Sequence, residues 1–541
     1  MQRQLYLTQC LVILIDDILE EGSQTRAQKE LPKKLDRGAS AAFASLTIQD
    51  PPAQVSWPEL VASTREQKAI LDDSLSLLCA EPVALAHAVN FWFFSRPELL
   101  ADEKGCRLPA HTDQYISGAI LDAVRSAVQG AAIWDYICRL LELLEAQDAD
   151  KVYRPIILQE IANVSHLGYD RARALFRRCV QTGTGAKYFR RQPGAFDEIG
   201  NAAVSMKCNL GKLAKSDPQL HSVMRLCQPE ASAQQSAEWL KKLAELNESD
   251  PTAQDRLLEG ETDALSDLVV AVGFIRDISA AIPMPQVSRK RGQMFVSRSH
   301  DLETELHELK NQVDLLDFAS PIDNLLEPGM AEGALQKLDQ FVIDKVGTKM
   351  GFLYEDLVQD CLALLKSQYE QAKARVEQAK AKEEQENRMD WIPIPVPPPQ
   401  PREKRVEERR QKEKTRPAHS SVYDITPAAA EPAAEPEEAA PSHTLKVRPS
   451  TAEVFSTLFD KKQSRGSVNW VDFEAAMADL GFSFMPKFGS VYTFLPPKSM
   501  GTKSVTVHRP HKSRIEGYSL LIVSRRLKRV YGWGDKTFTV S

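Results

Sequence analysis

Apolar residues recur every three to four positions over most of the first 385 residues, the spacing that places them on one face of an α-helix. The segment 131–144 has a broad apolar face of this kind, and similar patterns occupy 152–167, 237–246, 265–282 and 335–346. Few stretches alternate apolar and polar residues with the period of two that half-buried strands require. No repeat of fixed length is visible. The pattern predicts a large all-α body over residues 1–351.

Two tripeptides in the body have the composition of helix starts. In Ser216-Asp217-Pro218 and Ser249-Asp250-Pro251 the aspartate side chain can cap free backbone N–H groups, and the proline suits the first helical turn. Both tripeptides are therefore predicted to begin a helix.

A helix predicted over residues 352–388 changes character along its length. Leucines anchor its first half, whereas beyond Tyr369 it consists of Glu, Gln, Ala, Lys and Arg with almost nothing to bury. The heptad of apolar residues that a coiled coil requires is absent, so an exposed, charged helix is favoured over a coiled coil.

Residues 389–450 read as a disordered linker rich in Pro and Glu. The Pro-rich stretch 393–401 must be extended, and it is either a stiff spacer or a ligand for an aromatic groove. The basic run 402–416 is interleaved with glutamates, which favours a solvated tether over a nuclear localisation signal or a nucleic-acid arm.

The pattern changes again in residues 451–541. A helix is predicted over 471–482, ended by Gly481, followed by strands at 484–486, 489–495 and 504–511 and a long basic helix over 515–533. This α-β-β-β-α order predicts a small α+β domain, with one antiparallel sheet and both helices on one face. The fold class is therefore multidomain.

Charge is distributed unevenly between these parts. Residues 451–541 contain 14 Lys and Arg against 7 Asp and Glu, a net charge of +7, in a chain whose net charge is −6. Residues 402–450 contain ten basic and nine acidic groups, so residues 1–401 carry −14. A basic module therefore follows an acidic body, and it is expected to meet a polyanion or the chain's own acidic half.

Candidate chemistry elsewhere in the chain is sparse. The eight cysteines form no C-x-x-C pair, His300 and His307 suit an exposed charged helix better than a metal site, and Thr182-Gly183-Thr184-Gly185 lacks the spacing of a phosphate-binding loop. No metal or cofactor is expected. The apolar runs at 11–15 and 268–282 are flanked or interrupted by charges, so neither a signal peptide nor a membrane span is expected. An intracellular location, cytoplasmic or nuclear, follows.

The C-terminal module resembles HicA-like domains, which share the fold of double-stranded-RNA-binding domains. Gly489-Ser490 at the strand turn and His508-Arg509-Pro510-His511 at the end of the third strand carry the resemblance. HicA toxins are small ribonucleases that cleave mRNA, and their signature places a catalytic His after Gly-Ser. Val491 stands at that position here, and an aliphatic side chain cannot transfer a proton. The resemblance implies the fold without cleavage through that position, and leaves His508 and His511 as weak catalytic candidates.

A second resemblance extends over the whole chain. The strings AVNFWFFSRPELL, TDQYISGAILDAVRSAVQGAAIW, RKRGQMFVSRS, IDNLLEPGMAEGAL and VHRPHKSRIEGY resemble the fungal "ipa" proteins. That resemblance supplies no mechanism. Members of this group extend further upstream, which implies that the chain begins inside the usual family sequence.

These observations favour a non-enzymatic protein whose C-terminal module binds nucleic acid, RNA before DNA, without cleaving it. Two alternatives remain open: a helical scaffold that binds proteins through its body, and a degenerate ribonuclease. The competing explanation for the basic charges is that they only solvate a helix covering the sheet. The nucleic-acid-binding candidates are His508, Arg509, His511, Lys512, Arg514, Arg525, Arg526, Lys528 and Arg529.

Overall fold

The computed structural model describes residues 56–541 except 108–113, 147–149, 197–201, 250–255, 389–420, 426–443, 461–465, 487–490, 502, 511–512 and 541. The part of the body within these ranges is mostly helical, which confirms the prediction at that level. Short 3-10 helices lie at Pro97–Leu99, Ala186–Tyr188 and Ile322–Leu326. The α-helices are α1 Trp57–Ala80, α2 Pro82–Phe94, α3 Gln114–Ala146, α4 Tyr153–Thr182, α5 Leu210–Ser216, α6 Pro218–Leu226, α7 Ala233–Ser249, α8 Glu259–Ala281, α9 Met294–Glu308, α10 Leu316–Ala319, α11 Met330–Val346 and α12 Met350–Arg388.

Helix α3 forms the centre of the body. It is apolar on nearly every side, and a helix of that composition is stable only when other elements surround it. Helices α1, α2, α4 and α12 pack against it. Residues from all sides of α3 are fully buried, among them Ile120, Val124, Val128, Ala131 and Leu140.

A buried carboxylate connects α4 to α9. Glu160 is fully buried and accepts hydrogen bonds from the backbone N–H of Phe295 at 2.9 Å and from the Tyr136 hydroxyl at 3.2 Å. The first N–H groups of a helix have no partner within it, so Glu160 acts as the cap of α9 from a neighbouring helix. Burial raises the pKa of Glu160, although these donors act in the opposite direction.

A second apolar cluster joins the C-terminal half of α4 to α5–α8 and to a β-hairpin, around Phe176, Phe189, Val223 and Leu268. The hairpin consists of β1 Phe189–Phe196 and β2 Ala202–Met206, antiparallel, with Phe189 opposite Met206. The all-α description of the body misses it. Neither strand sequence, FRRQPGAF or AAVSM, alternates apolar and polar residues over its whole length, so no period of two marked the hairpin.

The helix start predicted at Asp217 is confirmed. Its carboxylate accepts from the Leu220 N–H at 3.0 Å, and Pro218 occupies the first turn of α6. Asp250 and Pro251 lie outside the described residues. The helix predicted over 352–388 is α12, and up to residue 381 nearly all its positions beyond Tyr369 are exposed.

Residues 421–425, called the strap below, lie within the span predicted to be a disordered linker, yet they pack into the body. Tyr423 is 3% exposed and Ile425 is 0% exposed, and both belong to the main apolar cluster. Two of the three apolar side chains of the strap are buried, which is enough to fix this short segment on the body, and at these residues the structure differs from the prediction. The neighbouring residues 389–420 and 426–443 lie outside the described ranges.

The C-terminal module contains the predicted helix, three strands and helix, as α14, β5–β7 and α15, together with a further helix and four strands of three residues each. Strands β5, β6 and β7 form an antiparallel sheet, β4 pairs antiparallel with β8, and β3 pairs parallel with β9. Residues 445–450 thus belong to the module although they were assigned to the linker. The elements are β3 Leu445–Val447, α13 Pro449–Phe459, β4 Ser467–Asn469, α14 Trp470–Asp479, β5 Ser483–Pro486, β6 Val491–Leu495, β7 Val505–His508, β8 Arg514–Glu516, α15 Gly517–Tyr531 and β9 Phe538–Val540.

Candidate functional site

Helix α15 packs against other elements on two faces. Leu520, Val523 and Leu527 are buried, and they hold one face of the helix on the module. The helix ends at Gly532, whose φ of 69° is in the left-handed region that favours glycine. The other face, which carries arginines, contacts α1 and α2 of the body. The basic helix predicted to meet nucleic acid is thus docked on the acidic half of its own chain.

Asp73 of α1 is the centre of this contact. Arg529 donates from Nε to its Oδ2 at 2.8 Å, and the Nε of Arg525 lies 3.9 Å from its Oδ1. Arg525 also donates to the Ser76 hydroxyl, one turn further along α1. The Asp73 side chain is 8% exposed, whereas those of Arg525 and Arg529 are 38% and 36% exposed. Ion pairs with this much solvent on the cation contribute about 1 kcal/mol or less each.

An aromatic contact completes the docking. The Tyr518 ring stacks on the His87 imidazole of α2 with 5.2 Å between centroids and 21° between planes. Burial raises the pKa of the Tyr518 phenol, whereas the neighbouring Ser74 side chain acts in the opposite direction. Desolvation lowers the pKa of His87 even though the residue as a whole remains exposed, since protein surrounds it on several sides.

Arg526 points into the protein rather than toward a partner. It is 3% exposed, and its Nη1 donates to the Thr506 carbonyl at 2.9 Å. Burial lowers its pKa to about 10, against the opposing effect of Asp73 and Glu66. Its Nε is buried without a hydrogen-bond partner among the described residues, as is Oε1 of Glu66. Arg526 thus joins α15 to β7, and its guanidinium is not presented to solvent.

His508, the first catalytic candidate, ends β7 directly opposite Val491 of β6. Burial and the nearby Arg526 charge lower its pKa to about 3. A general base is most effective when its pKa is near the working pH. A neutral His508 with so low a pKa is a poor proton acceptor, and the residue it faces is aliphatic.

Among the described residues, the side chains of Arg509, Arg514 and Lys528 make no hydrogen bond or ion pair with α1 or α2. Arg514 is exposed, donates to Ser467 Oγ at 2.5 Å and lies 3.4 Å from Glu516, whereas Lys528 is exposed and its ammonium makes no hydrogen bond or ion pair with the described residues. Arg509 is half-buried, and its charge acts on Glu474. His511 and Lys512 lie outside the described residues. The structure therefore separates the candidates into docked, internal and exposed groups.

Asp73, Ser74, Ser76 and His87 were missed by sequence reasoning. None lies in a motif, and Asp73 is separated from Arg529 by 456 positions. The only signal was the opposite net charge of body and module. That signal indicates attraction between the two halves, and it does not identify the residues that meet.

Two weaker candidates have structural explanations. The glycine-containing turn at 182–185 is held by Glu261, whose carboxylate accepts from the backbone and the hydroxyl of Thr184, both at 2.8 Å. His300 is exposed on α9, and His307 lies in its last turn. In the part of the chain that the structure describes, no group of three or more His, Cys, Asp or Glu is arranged to hold a metal ion.

Within the described ranges no single helix is long and apolar enough to cross a membrane. The bent pair α1 and α2, at 103° to each other, passes that test by length and composition.

Comparison of this chain with protein families, with curated proteins and with solved structures gives no match. Both resemblances noted in the sequence therefore remain predictions.

Proposed function

We propose that this chain is a non-enzymatic helical scaffold that holds a small basic module docked on its own body and binds protein partners. The observation that carries the proposal is the contact of Arg525 and Arg529 with Asp73. A basic helix whose guanidinium groups are engaged by the body stabilises an assembly within one chain. The absence of a proton donor at Val491 and the low pKa of His508 favour a role without catalysis.

Nucleic-acid binding is the second candidate, because Lys528 and Arg514 are exposed to solvent. The order of α14, β5–β7 and α15 supports the HicA-like and double-stranded-RNA-binding-like fold on which this candidate rests. RNA is the favoured ligand, since basic surfaces of that fold meet its phosphates. An intracellular location, cytoplasmic or nuclear, belongs to either proposal and is tested by imaging the tagged full chain.

The first experiment tests the docking. Asp73→Lys in the full chain places a cation beside two arginines, so the backbone amides of α15 and α1 should exchange faster with deuterated solvent. The double variant Asp73→Lys with Arg529→Glu restores an ion pair and should restore protection. Equal protection in all three chains would contradict the scaffold proposal at its central contact.

The second experiment separates the two candidates. Electrophoretic shift of RNA and DNA is measured with the wild-type full chain and with Asp73→Asn, each at low and high salt. The scaffold proposal expects no shift from either chain. A shift that appears or strengthens in Asp73→Asn and falls steeply with salt would favour nucleic-acid binding through the released helix.

A further inference from the structure

The strap occupies a groove of the body in the manner of a bound ligand. The Tyr423 phenol enters the groove and donates its hydroxyl to Asp135 Oδ2 of α3 at 3.0 Å. Asp135 also accepts from Arg139 at 2.9 Å and lies 3.6 Å from the Lys68 ammonium, so the phenol joins an existing charged cluster. Ile425 is fully buried in the same core. The two buried side chains give the strap both an apolar anchor and a directional contact.

The polar atoms of the strap have specific partners as well. Ser421 Oγ donates to Glu355 Oε2 of α12 at 2.8 Å, and the Asp424 carboxylate lies 3.3 Å from the Lys349 ammonium. The Asp424 N–H donates to the Ser421 carbonyl at 3.1 Å, closing a turn. Val422, at the tip of this turn, is 70% exposed. Four of the five side chains therefore make defined contacts, and one points to solvent.

Gly351, in the first turn of α12, explains how closely the strap approaches. A Cβ at this position would overlap the carbonyl group of Tyr423. Glycine is less favourable than alanine inside a helix, so the position is best explained by the space it leaves for the strap backbone. The groove is thus shaped for main chain as well as for side chains.

We propose that this groove is a peptide-binding site for a short turn-forming segment with the order Ser-x-Tyr-Asp-Ile, and that the strap is its intramolecular ligand. Every contact described above is made by five residues and would be made equally by the same residues on another chain. The partner is therefore a protein that presents this order in an accessible segment, and the strap competes with it at a high effective concentration. The inference rests on the scaffold function proposed above, since it supplies the site at which a partner binds.

The test measures binding of a fluorescent peptide with the sequence of residues 417–429 to the full chain by anisotropy. In the double variant Tyr423→Ala and Ile425→Ala the groove is vacated, and the peptide should bind about tenfold or more tightly than it binds the wild type, where the strap competes. Val422→Ala is the matched control and should bind like the wild type. A vacated chain with wild-type circular dichroism that binds the peptide no better than the wild type would overturn the proposal.

Two further measurements keep the test decisive. Gly351→Ala in the vacated chain introduces a better helix former, so α12 should stay folded. The added Cβ should abolish peptide binding, whereas undiminished binding would place the peptide elsewhere. If the vacated chain loses helical signal, excess peptide is added to the wild type, where it must speed amide exchange of residues 421–425 by about tenfold; unchanged exchange refutes the site. Protection of α15 in the same data reports the docking of the module separately.

Discussion

The strap and helix α15 both bring the C-terminal part of the chain onto the body, and they do so by different physical means. The strap inserts Tyr423 and Ile425 into the core, where their side chains lose nearly all contact with water. Helix α15 instead docks through Arg525 and Arg529, whose side chains stay more than a third exposed around one buried carboxylate, and through the stack of Tyr518 on His87. Apolar burial depends little on salt, whereas exposed ion pairs are screened by it. The strap is therefore a firm attachment, and the docking of α15 is an attachment that salt can weaken.

The largest effect is expected at the strap. Tyr423→Ala removes a buried ring and its hydrogen bond to Asp135, and should lower the free energy of unfolding of the body by about 3 kcal/mol. Urea unfolding followed by circular dichroism measures it. Val422→Ala, at the exposed tip, should change stability by less than about 0.5 kcal/mol. Equal urea midpoints for Tyr423→Ala and Val422→Ala would show that the strap is not part of the core.

A smaller effect is expected at the docking contact, and it should depend on salt. Asp73→Asn removes the charge that faces two arginines, and should weaken docking by about 1 kcal/mol at low ionic strength and less at about 0.5 M salt. Amide exchange of α15 measures the change. Glu142→Gln, which breaks an exposed ion pair with Arg65 elsewhere on the body, is the control and should leave α15 unaffected. Salt-independent docking would remove the contrast with the strap.

The stability of the module should depend on pH through His508. Its pKa is about 3 in the folded module and about 6.5 when exposed, so between these values the unfolded state binds the additional proton. Stability is therefore complete above about pH 6.5 and falls as the pH is lowered toward 3. Amide exchange of β6 and β7 across this range should show the fall, and His508→Gln should flatten it. If the pH profile of His508→Gln is unchanged, the loss of stability at low pH is due to other titrating groups.

The smallest effect is expected at Lys528. The residue is exposed and its ammonium makes no hydrogen bond or ion pair with the described residues, so Lys528→Ala should change docking and stability by less than about 0.5 kcal/mol. The same variant is useful in the RNA shift assay. If Lys528→Ala docks normally and yet loses RNA affinity, RNA binds at the exposed face of α15 that carries Lys528. If Lys528→Ala instead loses docking, the face of α15 that carries Lys528 contacts the body.

The sequence predicted the elements that have a strong period and a clear stop. Helices α3, α12, α14 and α15 are long enough for their period to be recognised, and strands β5, β6 and β7 are rich in strand-forming residues. The hairpin was missed because neither of its strands alternates apolar and polar residues over its whole length, and β3, β4, β8 and β9 are each only three residues long. The strap was missed because three apolar residues within a long span rich in Pro, Glu and Ala resemble a linker.

Of the candidate site, the sequence predicted only that opposite net charges would attract the module to the body. Totals of charge indicate that an acidic body and a basic module attract each other, but they do not show that Asp73 meets Arg525 and Arg529 across most of the chain. The inward direction of Arg526 was likewise hidden, since Arg525, Lys528 and Arg529 nearby are equally basic and only the packing of α15 on β7 distinguishes Arg526. Pairing between distant elements depends on tertiary geometry, which local patterns do not contain.

The position of Tyr423 and Ile425 in the chain has a consequence for synthesis. The last helix of the body ends at Arg388, but the core that α3 and α12 form is filled only by residues that follow 35 to 37 positions later. At about 5–20 residues per second, the ribosome needs roughly 2–7 s to add them. During that interval the groove beside Gly351 lacks its occupant, and the apolar surface that Tyr423 and Ile425 cover is exposed. The body is therefore completed late, by a segment made after its helices.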